Sequence, residues 1–349
     1  QPAQPAPPAA APAPLALDMT AADAQAKKLV EEFKLPGAGL LVLREGKLVH
    51  EKYFGSYSAD TVVPIASSSK WLSGAVIMSL VDDKTLDLDK QVGDYLPTLP
   101  DDKKKLTIRR MFSHTSGMPG DVLAAENWLI SMDEAARRLG EARLEAEPGA
   151  EFRYGQASMQ LAAIAACKVT GKTWNELFEE RIAVPCDMKH TKFGRLGAAP
   201  NPLVAGGASS TLRDYGNFLT MIAAKGQFKG RRVLSEKAVD EMLADQTGKA
   251  KMVSASLNRM VNGHGYGVGN WVDRKDAKGV TVASSSPGAF GFVPWVDQER
   301  KIAGVWMICD RERLGKNAAK AAAVGSVRDE VDKAIDAAIA RAKPAPAAR

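Results

Sequence analysis

Residues 63–80 decide how this 349-residue chain is interpreted, and they read VPIASSSKWLSGAVIMSL. A short segment leads into an apolar run whose spacing predicts an amphipathic helix over residues 71–81. Ser67 then lies at the N-terminus of that helix, where unpaired backbone N–H groups and the helix dipole stabilise negative charge. Lys70 follows three residues later, on the same helical face. We therefore expect the Lys70 ammonium to reach the Ser67 hydroxyl.

This Ser-x-x-Lys pair has a chemical and a structural interpretation. A serine hydroxyl is a poor nucleophile until a nearby base takes its proton. A lysine in a partly desolvated site can be neutral enough to act as that base. The alternative is a capped helix start followed by a surface lysine, and the four residues alone do not separate the two.

Two later segments could complete such a site. In residues 147–156, EPGAEFRYGQ, a Pro-Gly turn delivers Tyr154 as a second acid/base group and Gln156 as an amide donor. Residues 284–291, SSSPGAFG, precede a predicted strand, and a backbone N–H on that strand could complete an oxyanion hole. Taken alone, the first segment could equally be a tyrosine packed beside a turn. The second could equally be a loop of small residues that leads into a strand.

The rest of the chain predicts an α+β fold built from both chain ends. Strand patterns occupy residues 37–43, 47–53, 290–296 and 302–308, and helical patterns occupy residues 21–33 and 316–342. Strand pairs near both ends, each beside a terminal helix, favour one antiparallel sheet. We predict an α/β lobe of residues 15–66 and 203–342, interrupted by a helical lobe of residues 67–202. A cleft between the lobes would hold a ligand.

Taken together and in this order, the segments resemble those of the penicillin-recognising serine hydrolases. These are the class C β-lactamases, the D-alanyl-D-alanine carboxypeptidases and the family VIII carboxylesterases. Further matching segments are LPGA at 35–38, LDLD at 86–89, YLP at 95–97, SHTSGMP at 113–119, AGG at 205–207 and STLRDY at 210–215. The resemblance covers about residues 35–309 and is most specific at Ser-x-x-Lys and Ser-His-Thr-Ser-Gly. It implies a β-lactamase/transpeptidase-like fold, with an antiparallel sheet flanked by terminal helices and an inserted, mainly helical lobe.

The resemblance also implies the roles of individual residues. Ser67 would be the acylated nucleophile and Lys70 its base, with Tyr154 sharing proton transfer to the leaving group. The backbone N–H groups of Ser67 and Ala289 would form the oxyanion hole. The substrate-binding residues would be Gln156, Ser286 and Gly288. For His114 the resemblance implies a structural role in holding the loop after its helix.

Two departures from the family pattern bear on the substrate. The family's Tyr-x-Asn is Tyr154-Gly155-Gln156 here, and its Lys-Thr-Gly is Ser286-Pro287-Gly288. Loss of that lysine removes a charge-assisted contact to a substrate carboxylate, worth about 1.5–3 kcal/mol. We therefore expect a carboxylesterase that acts on small neutral esters. A D-amino-acid peptidase or weak β-lactamase with the same mechanism stays open, as does a catalytically weak penicillin-binding sensor.

Composition excludes several other function classes. The net charge is +6, and no basic stripe with interleaved aromatic residues predicts nucleic-acid binding. No apolar run approaches the ~18 residues of a membrane helix. The four histidines and three cysteines lack metal-ligand spacing, so we expect neither a metal nor a cofactor. The expected partner is a small ester or amide substrate, and the oligomeric state is open.

The chain ends have a composition unlike the rest. Residues 1–14 are almost wholly Ala, Pro and Gln, and residues 343–349 are similarly simple, so we expect both segments to be disordered. The first residue is not Met, which is consistent with a removed export signal and a periplasmic or secreted protein. A chain trimmed for another reason would look the same.

Overall fold

The computed structural model describes residues 17–194, 199–253, 265–312 and 316–342, so the predicted disordered segments 1–14 and 343–349 lie outside it. The strands are β1 Gly37–Arg44, β2 Lys47–Gly55, β3 Val63–Pro64, β4 Glu151–Phe152, β5 Lys192–Phe193, β6 Ala208–Ser210, β7 Gln227–Phe228, β8 Arg231–Arg232, β9 Lys251–Met252, β10 Trp271–Lys275, β11 Thr281–Ser285, β12 Phe292–Asp297 and β13 Ile302–Met307. The α-helices are α1 Thr20–Glu32, α2 Ser69–Asp82, α3 Asp101–Lys104, α4 Ile108–Phe112, α5 Leu123–Glu126, α6 Met132–Glu141, α7 Ala157–Thr170, α8 Trp174–Phe178, α9 Leu212–Ala223, α10 Glu236–Leu243 and α11 Ala318–Ala342. Short 3₁₀ turns occupy Ala66–Ser68 and Val92–Asp94, and a π turn occupies Glu179–Ala183.

Strands from both chain ends form one antiparallel sheet in the order β10-β11-β12-β13-β1-β2. The two ends meet at its centre, where β1 pairs with β13 and Leu41 lies opposite Val305. This arrangement confirms the four predicted strands and the predicted α+β class. The sequence does not predict β10 or β11, because their side chains are largely polar or small and no apolar run marks them.

The two faces of the sheet are covered by different helices. On β1, Leu40 and Val42 pack in a core with α1 and α11, the predicted terminal helices. Leu41 and Leu43 face the opposite side and pack in the main core with α9. Successive strand residues point to opposite faces, so both alternating sets of β1 are buried. This explains why β1 is an unbroken apolar run rather than an alternating one.

The segment between the two parts of the sheet is mainly helical, as predicted. Helices α2 to α8 lie within residues 67–202. The predicted amphipathic character of α2 is wrong, since every residue from Ser69 to Leu80 is buried. A helix that is buried on all sides has apolar residues on every face. Residues 71–81 have this composition. The boundaries of the two lobes stay a prediction.

Candidate active site

Ser67 lies in a tight turn between β3 and α2. Strand β3 pairs with β6, with Val63 opposite Ser210, and the 3₁₀ turn of residues 66–68 follows. Ala66 has a φ of 46°, a left-handed conformation that costs a non-glycine residue roughly 1–2 kcal/mol. Strain of this kind persists only where the surroundings hold the backbone, and it is concentrated at functional sites. The sequence correctly places Ser67 at the start of the helix, although a 3₁₀ turn precedes α2.

The three consecutive serines have three different environments. Ser67 is partly exposed, whereas Ser68 and Ser69 are fully buried. The Ser68 hydroxyl donates to the carbonyl of Ser286 at 2.6 Å and contacts that of Phe292 at 3.0 Å. These contacts tie the turn to the end of β11 and the start of β12. Sequence reasoning did not identify Ser68, although the run of serines was a visible signal.

Ser69 fixes the same turn from the other side. Its hydroxyl donates to the carbonyl of Ala66 at 2.7 Å and accepts from the backbone N–H of Ala208 at 3.0 Å. The strained Ala66 is therefore held by a side chain three residues away and by β6. Of the three hydroxyls, only that of Ser67 is left for chemistry.

Lys70 is buried beside the Ser67 hydroxyl. Its side chain is 3% exposed, and Nζ lies 3.3 Å from Ser67 Oγ and 2.9 Å from the carbonyl oxygen of Ala205. No Asp or Glu of the described chain forms an ion pair with Nζ. Burying an ammonium without a carboxylate is unfavourable. The predicted surface-lysine alternative is therefore wrong, because Lys70 is neither exposed nor paired as a structural cation.

Tyr154 lies next to Lys70, as the sequence predicts. The Lys70 Nζ is 4.5 Å from the centroid of the Tyr154 ring, and that ring stacks on Trp271 at 5.3 Å. The following residue, Gly155, packs against Gly120 so closely that a Cβ would lie 2.0 Å from the Gly120 carbonyl oxygen. Only glycine permits this approach, which holds the segment bearing Tyr154 against the neighbouring loop.

His114 is buried behind Tyr154 rather than beside Ser67. Its ring lies 4.7 Å from the Tyr154 ring and 4.8 Å from the Tyr266 ring. Burial, and then the charge of Lys70, hold the pKa of His114 well below its ordinary value, so its imidazole is uncharged at neutral pH. Its two ring nitrogens have no hydrogen-bond partner among the described residues.

Gln156 immediately precedes α7, and its side-chain amide contacts two carboxylates. The side-chain Nε2 donates to Asp121 at 3.3 Å and also contacts Glu126. The extra methylene of Gln relative to Asn carries the amide to these two exposed carboxylates. Sequence reasoning expected this amide to serve the substrate, and in the structure only the side-chain oxygen is left for that purpose.

The predicted substrate-binding segment 286–289 follows β11 and leads towards β12. Gly288 lies against the turn of Ser67, because a Cβ at this position would be 2.1 Å from the carbonyl oxygen of Ile65. Ser286 is 2% exposed, and its hydroxyl lies 3.3 Å from the Ser67 carbonyl oxygen. Gly288 therefore permits the close approach that the sequence predicts, whereas Ser286 acts as a tie between segments.

Ala289 lies just before the predicted strand of residues 290–296, and β12 begins at Phe292. Ala289 is an exposed residue of the turn between β11 and β12. Within the described parts of the chain, no carbonyl accepts a hydrogen bond from the backbone N–H of Ser67 or of Ala289. Both N–H groups are therefore available to a ligand.

The cysteines are poorly suited to nucleophilic chemistry. Burial raises the pKa of Cys167 and of Cys186 to about 12, so the thiolate that would react is scarce. The described ranges contain no group of three His, Cys, Asp or Glu arranged for a metal ion. None of the helices in these ranges is long and apolar enough to cross a membrane.

A family model described as Beta-lactamase matches residues 22–328, which is most of the chain. The chain belongs to the beta-lactamase family. A Bacteroides dorei protein provisionally assigned as a beta-lactamase has a similar structure, with a TM-score of 0.84 and 29% identity over 92% of this chain and 99% of that one. A family VIII carboxylesterase has the same fold, with a TM-score of 0.69 and 17% identity over 90% and 98% of the two chains.

Curated relatives extend the comparison to peptidases. A provisionally assigned D-alanyl-D-alanine carboxypeptidase of Escherichia coli K12 is 24% identical over 73% of this chain and 67% of its own. Protein flp of Staphylococcus aureus MW2 is 26% identical over 46% of this chain, and that match spans only 35% of its own length. The chain is thus similar to proteins named as a beta-lactamase and a carboxypeptidase and, in its fold, to a carboxylesterase.

Proposed function

We propose that this beta-lactamase family member hydrolyses small acyl esters through a covalent acyl-Ser67 intermediate. The observation that carries the proposal is the 3.3 Å contact between Lys70 Nζ and Ser67 Oγ, made by a buried lysine without a carboxylate partner in the described chain. A structural lysine at this depth would be expected to have such a partner. A lysine that acts as a base for a serine must instead lie within reach of the serine hydroxyl, as Lys70 does.

Proton transfer would use Lys70 and Tyr154 as a coupled pair. As Ser67 Oγ attacks the acyl carbon, its proton passes to the Lys70–Tyr154 pair. Tyr154, whose ring contacts the same Nζ, shares delivery of a proton to the departing alcohol. Water then attacks the acyl-enzyme, and the same pair takes its proton, which releases the acid and restores the Ser67 hydroxyl.

The N–H groups of Ser67 and Ala289 are proposed to stabilise the oxyanion. Two such donors would favour the tetrahedral intermediate, because negative charge develops on the carbonyl oxygen there. Gly288 supports this proposal, since its lack of a side chain lets the segment carrying Ala289 approach the turn of Ser67.

The preference for neutral esters rests on the end of β11. Ser286-Pro287-Gly288 has no cation to bind a substrate carboxylate, and Pro287 has no backbone N–H to donate. Asp121 and Glu126 add negative charge beside Gln156, which disfavours an anionic substrate there.

A second candidate is an amide or peptide hydrolase with the same acyl-Ser67 chemistry. The similarity to the E. coli protein over 73% of this chain favours it. D-amino-acid peptides and β-lactams are the substrates to test. A third candidate, a sensor that is acylated without turnover, is favoured by the missing cation alone.

The test compares purified wild type with Ser67→Ala in the hydrolysis of p-nitrophenyl butyrate. Ser58→Ala is the matched control, because Ser58 is a serine whose hydroxyl makes only a 3.5 Å contact with Thr61. Turnover that is lost in Ser67→Ala and kept in Ser58→Ala supports the esterase. If wild type does not turn over the ester, the esterase proposal fails, and mass spectrometry after β-lactam treatment separates the other two candidates.

A periplasmic or secreted location also stays a proposal. It does not depend on the geometry of the site. Fractionation of the source cells, with antibody detection of the chain, checks it directly, and recovery in the cytoplasmic fraction contradicts it.

A further inference from the structure

An aromatic cluster closes the site behind the Lys70 amine. It consists of His114, Phe152, Tyr154, Tyr266 and Trp271. His114 contacts three of the others, with ring centroids 5.7 Å from Phe152, 4.7 Å from Tyr154 and 4.8 Å from Tyr266. Tyr154 thus contacts both His114 and Trp271, and the Lys70 Nζ lies 4.5 Å from its ring centroid.

The imidazole of His114 is an unusual member of this cluster. It is 1% exposed, and neither ring nitrogen has a hydrogen-bond partner among the described residues. Leaving a buried polar group unpaired is unfavourable, and an apolar ring of the same shape would avoid that penalty. Hydrogen bonding within the described chain is therefore not what the His114 ring contributes.

The backbone of His114 holds the segment that leads to Tyr154. His114 adopts a left-handed conformation with a φ of 59°, and its carbonyl accepts from the N–H of Arg153 at 2.8 Å. The next carbonyl, of Thr115, accepts from the N–H of Gly149 at 2.7 Å. The loop of His114 and the segment 149–153 are thus joined at two points just before Tyr154.

We propose that His114 is a positioning residue for Tyr154: its ring and its loop together fix the phenol beside Lys70. This inference rests on the proposed function, since it concerns the same acid/base pair. His114 does not touch the reacting atoms in this role. A displacement of about 1 Å at a reacting group can lower a rate about 100-fold, so loss of the ring should lower kcat.

Two substitutions separate ring shape from ring chemistry. His114→Ala removes the ring, and we expect kcat to fall about 10- to 100-fold with KM changed less than about twofold. His114→Phe keeps an aromatic ring and removes the unpaired nitrogens, so it should restore kcat to within about threefold of wild type. A His114→Phe enzyme as slow as His114→Ala overturns the proposal.

A double-mutant cycle with Tyr154→Phe tests the route of the effect. If His114 acts through the Tyr154 phenol, His114→Ala should lower kcat in the wild-type background and by less than about twofold in the Tyr154→Phe background. Equal losses in the two backgrounds overturn the proposal. The pH dependence of kcat/KM in His114→Phe should match wild type, because the native imidazole stays uncharged. Loss of one limb would make His114 a catalytic base and would also overturn it.

Labelling of Ser67 by a fluorophosphonate distinguishes this inference from the proposed function. The labelling rate, followed by mass spectrometry, needs no knowledge of the natural substrate. Absence of Ser67 labelling in wild type removes the proposed function and this inference together. Labelling that is fast in wild type, slow in His114→Ala and restored in His114→Phe supports the inference. Labelling that His114→Ala leaves unchanged overturns the inference alone.

Discussion

Replacement of Lys70 by methionine should make the protein more stable and inactive. Methionine is of similar length and apolar, so it can fill the space that the lysine occupies. The substitution removes the 2.9 Å contact of Nζ to the Ala205 carbonyl and the 3.3 Å contact to Ser67 Oγ. It also removes a buried amine that has no carboxylate partner in the described chain.

The size of the effect follows from these opposing contributions. Loss of the charge-assisted hydrogen bond to Ala205 destabilises by about 1.5–3 kcal/mol, and the long contact to Ser67 adds little. Relief from desolvation of an unpaired ammonium stabilises by several kcal/mol. The second effect is larger, so we expect the free energy of unfolding to rise by about 1–2 kcal/mol. Turnover should fall about 10³-fold or more, because Ser67 loses its base.

Urea unfolding followed by circular dichroism measures the stability, and p-nitrophenyl butyrate hydrolysis measures the activity. Lys103→Met is the matched control, because Lys103 is 2% exposed but lies 2.5 Å from the carboxylate of Asp102. This control should lose stability and keep its activity. A Lys70→Met protein that is less stable than wild type by more than about 1 kcal/mol would refute the reasoning and make Lys70 a structural residue.

Three further substitutions test other parts of the site. Tyr154→Phe should lower kcat about 10²–10⁴-fold, and steady-state kinetics that match wild type would reassign Tyr154 to packing. Ser68→Ala leaves the carbonyls of Ser286 and Phe292 without their shared donor. The free energy of unfolding in urea should therefore fall by about 1–3 kcal/mol, and an unchanged unfolding midpoint would contradict this. Gly288→Ala places a Cβ 2.1 Å from the Ile65 carbonyl oxygen, so the segment must shift. We expect kcat to fall about 10- to 100-fold. An unchanged kcat would show that this segment does not form the oxyanion hole.

The sequence predicts the central strands well because their side chains leave a strong pattern. Strand β1 is buried on both faces, so every residue from Gly37 to Leu43 is buried and the run is unbroken. Strands β10 and β11 are largely polar or small, and Asp273 and Arg274 of β10 pair with Arg328 and Asp297, which come from other segments. No local pattern reports such partners, so these strands could not be predicted.

The site was predictable to the extent that it depends on local geometry. Spacing of three on a helix brings Lys70 to Ser67, and the structure has that contact. The choice among the three serines depends on Ser286, Phe292 and Ala208, which lie 139 or more residues away in the chain. The orientation of Gln156 likewise depends on two carboxylates, which its own segment does not specify.

The hydrogen bonds of Ser68 have a consequence for how the enzyme matures during synthesis. They join the turn of Ser67 to Ser286 and Phe292, which are 218 and 224 residues further along the chain. A ribosome therefore completes the Ser-x-x-Lys motif long before the chain can hold the turn in its final shape. Contacts of this sequence separation form late and slowly. The nascent chain should thus stay unreactive until its last strands emerge, and acylation of Ser67 would report completed folding rather than partial synthesis.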